Sequence, residues 1–134
     1  MSLDDEKRAT IVQLEIEKAY STFDDAQLLI DSKRWSSAAN RLYYAVFHAV
    51  NALLIHDSHP VKSHKGSLSM FSKQYILTGI LPSTYGELYS QLETIREESD
   101  YSCIYKVKPE ILLLKSEPAR ELIDTIAKMV SQQK

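Results

Sequence analysis

Cysteine is nearly absent: Cys103 stands alone, so no internal disulfide can form, and a reducing compartment such as the cytoplasm is the expected setting. Glycine and proline are scarce, three and four in 134 residues, and that is too few turn residues for a chain built of many short strands. No apolar run approaches the roughly 18 residues that a membrane span needs. Met1 to Arg8 is polar and acidic, unlike a secretion signal, so no membrane association is expected. An excess of positive charge is also missing: the formal net charge is -2, which gives no bulk electrostatic argument for nucleic-acid binding and leaves only a local basic patch.

What is present points to helices. Hydrophobic residues make up 44% and charged residues 25%, the balance of an ordinary globular domain, and 134 residues suit a single one spanning 1–134. Ile16, Ala19, Tyr20, Phe23, Ala26 and Ile30 recur at three- and four-residue steps, which predicts a long amphipathic helix from Asp4 to about Ser32. Its other side, with Asp5, Glu6, Lys7, Arg8, Glu15, Glu17 and Lys18, reads as a solvated face. From Ser36 to about Asp57 the chain is apolar around most of a helical circumference, as a central helix would be. The exception is a stripe of Ser37, Arg41, Tyr44, His48 and Asn51 within a sector of roughly 60°. That stripe must face water in a cleft, another subunit or a ligand.

Pro60 breaks the pattern, and Ser63 reads as the N-cap of a third helix to about Leu77 with Leu68, Phe71 and Tyr75 inward. Gly79 suits its end. Pro82 and Ser83 open a fourth helix to about Ser102, with Tyr85, Leu88, Leu92, Ile95 and Ser99 inward and Tyr89, Arg96, Asp100 and Cys103 along one flank. After a connector at Tyr105 to Pro109, Ile111 to Leu114 reads as a helical turn. The last helix then carries Ala119, Leu122, Ile123, Ile126 and Val130, with Pro118 in its first turn. The fold class is therefore all-α, an up-and-down bundle of four to five helices.

Three segments, in this order and spacing, resemble the small stand-alone prokaryotic branch of the HEPN (higher eukaryotes and prokaryotes nucleotide-binding) superfamily. They are Ala38-Ala39-Asn40-Arg41-Leu42-Tyr43-Tyr44-Ala45-Val46-Phe47-His48; Ser63-His64-Lys65-Gly66 followed by Phe71; and Ile95-Arg96-Glu97-Glu98-Ser99-Asp100-Tyr101. The resemblance implies a homodimeric helical bundle, often encoded beside a minimal nucleotidyltransferase in toxin–antitoxin pairs. Active members cleave RNA without a metal, using an Arg followed four to six residues later by a His, with the two copies meeting at the dimer interface. Here the matching arginine is Arg96, and the positions for the histidine hold Tyr101, Ser102 and Cys103. A tyrosine phenol ordinarily loses its proton only near 10, so tyrosine as a residue type is a poor base but a serviceable hydrogen-bond donor.

On this basis Arg96, Asp100 and Tyr101 are the candidate catalytic residues, with Arg96 on phosphate and Asp100 orienting it. Tyr44, His64 and Lys65 are the candidate ligand-binding residues, His64 and Lys65 gaining from the free N–H groups at a helix start. Arg41 and His48 form an alternative catalytic pair, six residues intervening. The competing account makes Arg41, Tyr44 and His48 a structural polar seam bonded to Asp100 or to backbone. His48, His56, His59 and His64 lack the Cys or carboxylate companions of a metal site, so no metal and no cofactor are expected. Arg96 and Asp100, four apart, fit an ordinary surface ion pair unless they are buried. The expected function is an RNA- or nucleotide-interacting protein; the competing one is a non-catalytic interaction domain that has lost the nuclease histidine.

Overall fold

The computed structural model describes residues 3–59 and 61–131. Five α-helices follow one another: α1 (Leu3–Asp31), α2 (Trp35–His56), α3 (His64–Phe71), α4 (Ser83–Tyr101) and α5 (Pro109–Ser131). No strand occurs among the described residues. The all-α expectation holds, and α1 and α2 lie within a residue of the bounds read from the sequence.

Helix α1 buries Val12, Ile16, Ala19, Phe23, Ala26 and Ile30 on a single stripe. It ends where Lys33 takes a left-handed φ of 59°, letting the Arg34 N–H reach back to the Leu29 carbonyl at 2.8 Å. Helix α2 stops the same way, with Ser58 at φ 64° and the His59 N–H bonded to the Leu54 carbonyl at 2.6 Å. Between these stops α2 is the centre of the molecule. Residues from Ala38 to Leu54 are buried on most sides, and α2 packs on α1, α3, α4 and α5. Its fully buried alanines 38, 45, 49 and 52 let the neighbouring helices approach closely.

Two expectations need correction. The third helix does not run regularly to Leu77: α3 ends at Phe71 and passes into a π-helical turn, Ser72–Ile76, in which the Leu77 N–H bonds the Ser72 carbonyl. Phe71 and Tyr75 are nevertheless both buried, and the Tyr75 hydroxyl donates to the Asp57 carboxylate at the end of α2. Second, Pro118 is not in a first turn. Helix α5 begins at Pro109, whose missing N–H suits that position, and it absorbs the Ile111 to Leu114 run. Pro118 then lies mid-helix, four residues after the exposed Leu114, whose carbonyl loses its usual helical donor. Along the α4 flank Tyr89 is fully buried and Arg96 is buried, while Cys103 lies exposed beyond the helix end.

Candidate functional site: a basic cluster around Tyr44

Four basic side chains from three helices converge on one ring. Measured to the Tyr44 centroid, the Arg41 guanidinium carbon stands at 5.3 Å, the His64 ring at 5.5 Å, the Arg96 guanidinium carbon at 5.8 Å and the His48 ring at 6.5 Å. Arg41 and His48 flank Tyr44 along α2 because positions three before and four after share its face. Arg96 comes from α4, and His64 is the first residue of α3. The polar stripe read on α2 is therefore one wall of a cluster, not an isolated seam.

Arg96 is the deepest member, only 5% exposed. Its guanidinium lies 4.8 Å from the Tyr43 centroid and 6.0 Å from that of Tyr101. Its ion pairs are long, 3.7 Å to Asp100 and 3.9 Å to Glu97, beyond hydrogen-bond reach. Nε has no hydrogen-bond partner among the described residues, and neither do Glu93 Oε2 and Ser99 Oγ, which lie three residues to either side on α4. Burying a cation costs several kcal/mol unless hydrogen bonds compensate, and stacking on aromatic faces returns about 2 kcal/mol. Burial works to lower the Arg96 pKa, but the electrostatics of Tyr44, Tyr43 and Asp100 and a side-chain hydrogen bond to Tyr101 outweigh it and raise the pKa, so the guanidinium stays charged while its Nε is left without a partner. Glu93 reflects the same polar row: burial, then the charge of Glu97, raises its pKa against the pull of Arg96 and Lys65.

Besides its long ion pair with Arg96, Asp100 is bonded to α2. Its carboxylate accepts from the Asn40 amide at 3.1 and 3.3 Å, while Asn40 Oδ1 accepts from Arg41 Nη2 at 2.7 Å and Nε at 3.0 Å. Asn40 thus joins Arg41 to Asp100, beside an open polar pocket of about 520 Å³ lined by Ser36, Ser37, Asn40, Arg41, Ser99 and Asp100. Tyr101 touches the cluster only from outside, at 80% exposure, and Lys65 is exposed with its charge acting on Glu93.

The two histidines are held differently. His64 packs against Phe47 at 4.7 Å between centroids, and its Nδ1 shares a hydrogen bond with the Tyr43 hydroxyl at 3.1 Å. Tyr43 stacks on Tyr89 at 5.9 Å between centroids, and the Tyr89 and Ser67 hydroxyls share a hydrogen bond at 2.8 Å. Burial, chiefly, and the charge of Arg96 lower the His64 pKa, with a smaller push from His48 and an opposing pull from Glu97. Tyr43 is pushed up to about 12 by burial and by the charge of Glu93, so its phenol stays protonated. His48 Nδ1 lies 3.2 Å from Glu15 Oε1, and Asn51 donates to the other Glu15 oxygen. Burial works to raise the Glu15 pKa, but these two hydrogen bonds and the charges of His48 and Lys18 outweigh it and hold the carboxylate ionised.

Tyr43, Phe47 and Glu15 are members that the sequence did not single out. Glu15 reads as part of the solvated face of α1 but is half-buried, because it sits beside the buried Val12, Ile16 and Ala19 and turns toward α2. The remaining histidine with a partner, His56, bonds the Asp57 that also receives Tyr75.

Fold and site together define an all-α bundle protein whose central helix carries a cluster of basic and aromatic side chains. The family model for the HEPN domain matches residues 12–133, and the chain belongs to the HEPN family. It is similar to a "UPF0332 protein" of Thermotoga maritima, 29% identical over 96% of this chain and 97% of that one. It is also similar to two proteins of Methanocaldococcus jannaschii. "Putative toxin MJ0142" is 33% identical over 71% of this chain and 65% of that one. "Putative toxin MJ0605" is 31% identical over 68% of each. No helix among the described residues is long and apolar enough to cross a membrane.

Proposed function

We propose that this chain is an RNA-directed HEPN protein that grips a phosphodiester at the cluster around Tyr44, acts as a homodimer and serves as the toxin partner of a minimal nucleotidyltransferase. The observation that carries this reading is the convergence of Arg41, His48, His64 and Arg96 on one aromatic ring in a chain whose net charge is negative. The partly exposed Tyr44 and Phe47 rings offer faces for a base. The exposed Tyr101 and Ile104, 80% and 86% accessible at the end of α4, suit a second copy packed beside the site. The toxin assignment draws on the names of the M. jannaschii relatives.

A second reading, the non-catalytic interaction domain, is favoured by one observation: Tyr101, Ser102 and Cys103 stand where the resemblance places the nuclease histidine, and both Tyr101 and Cys103 face solvent. Binding separates the two. A fluorescent single-stranded oligoribonucleotide should bind the wild type, by anisotropy, at least tenfold more tightly than Arg96→Ala, since a hydrogen bond to a charged group is worth about 1.5–3 kcal/mol. Light scattering on the same sample should read two chains. Absence of binding by the wild type, or equal binding by Arg96→Ala, leaves the interaction domain.

A further inference from the structure

The match to the family leaves this chain without a histidine behind Arg96, yet two histidines border the ring that Arg96 also borders. We propose that the chemistry has moved onto two other helices: His64 removes the 2′-hydroxyl proton of a bound RNA, and His48, positioned by Glu15, protonates the leaving 5′-oxygen. This rests on the RNA-binding reading above and adds the catalytic residues.

The geometry supplies each part. Both histidine rings touch Phe47, His64 at 4.7 Å and His48 at 5.4 Å between centroids, and both touch Tyr44, so the two imidazoles flank one pair of aromatic rings. Arg96 borders the same Tyr44 and would hold the phosphate between them. Each imidazole is tied by Nδ1, His64 to Tyr43 and His48 to Glu15, which leaves Nε2 of each for substrate. In the tautomer that a base requires, His64 Nδ1–H donates to the Tyr43 oxygen. The two neighbours also differ in kind. His64 is bonded to a neutral phenol near a fixed cation, which favours the neutral, accepting imidazole. His48 faces an ionised carboxylate, the counter-ion that an imidazolium donor needs.

The step balances without a metal or a redox partner. The 2′-oxygen bonds to phosphorus as its proton passes to His64; the phosphorus–O5′ bond breaks as His48 gives its proton to O5′. The products are a 2′,3′-cyclic phosphate and a 5′-hydroxyl. His64 ends protonated and His48 neutral, and exchange with water restores both.

The test is cleavage of an oligoribonucleotide in EDTA, run beside the same sequence with sulfur in place of the bridging 5′-oxygen, a leaving group that departs as thiolate and needs no proton. The full-length wild type, His64→Gln, His48→Gln and Glu15→Gln are compared after melting curves show that each is folded. Each glutamine variant of a histidine should lose about 10²–10⁴-fold on ordinary RNA, the usual worth of one general acid or base. On the sulfur substrate His48→Gln and Glu15→Gln should recover to near the wild-type rate, while His64→Gln should not. A positional effect of either substitution on the fold would not distinguish the two leaving groups. Should a variant fail to fold, His64→Asn or His48→Asn takes its place. The proposal is overturned if His64→Gln cleaves like the wild type, if the sulfur substrate fails to rescue His48→Gln, or if the wild type binds RNA and does not cleave it. That last outcome leaves the binding reading standing, whereas a wild type that does not bind overturns both.

Discussion

At the scale of single residues, His64 is the most informative group because its ionisation reports on its neighbours. Its pKa lies below the ordinary 6.5, first through burial and then through the charge of Arg96, with Glu97 pulling the other way. Followed by NMR of the ring protons, its midpoint should therefore rise in Arg96→Ala and fall further in Glu97→Gln; the opposite pattern would remove Arg96 from its surroundings. The linkage has a definite sign. The unfolded chain takes up the proton first, so this group weakens the fold as pH drops through 6.5, and the loss levels off below the folded pKa. Glu15, whose folded pKa is depressed, contributes stability that is fully present above its ordinary 4.5 and disappears as pH falls through the lower folded value. Both effects run the same way, toward weaker folding in acid. Tyr44, His64 and Arg96 were legible in the sequence because each lies in a segment that resembles the family. Tyr43 was not assigned a role, since adjacent residues on a helix point about 100° apart and only the packing shows that its hydroxyl turns toward α3. Glu15 was hidden because a charged residue at the margin of an apolar stripe reads the same whether it faces water or a buried histidine.

At the scale of elements, the placement of His64 depends on how α3 begins. The Ser63 side chain accepts from the Gly66 N–H at 2.9 Å, a side-chain cap that fixes the first turn. A Cβ on Gly66 would come within 2.9 Å of that same Ser63 oxygen, so a side chain there would push on the cap. Ser63→Ala should cost about 1 kcal/mol in a urea melt and weaken RNA binding through loss of the His64 position. Ser63→Asp, which preserves a capping acceptor, should keep the stability. The start of α3 was readable because a cap is a local signal. The start of α5 was not: two prolines nine residues apart both suit a first turn, and the choice between Pro109 and Pro118 falls to burial of Leu112, which only the assembled core decides. The π-helical turn after α3 had no signal in the residue pattern either, since Phe71 and Tyr75 four apart satisfy a regular helix equally well.

For the molecule as a whole, the decisive quantity is where a small amount of positive charge sits. With a net charge of -2, there is no diffuse field to hold a polyanion, and affinity must come from the few cations around Tyr44. Two arginine–phosphate contacts release few counterions, so the logarithm of the binding constant should fall with the logarithm of salt with a slope of about -1.4, against -4 or steeper for a protein with six contacts. A titration of oligoribonucleotide affinity across salt concentrations measures this directly, and a steep slope would point to a second, wider surface. A local cluster of this kind leaves no mark on composition, because its two arginines are only two of the 16 Lys and Arg residues set against 18 Asp and Glu.

Helix α2 is at once the most buried element and the one that carries Arg41, Tyr44 and His48. Structural constraint and the proposed function therefore fall on the same 22 residues, and Arg96 is buried too, whereas the half-buried His64 opens the short helix α3. In a genetic selection for loss of function, lesions in α2 would then be ambiguous, since most of them also lower the amount of protein in the cell. Alleles that abolish function at normal abundance would map instead to the margins of the bundle, and the site is best dissected from there.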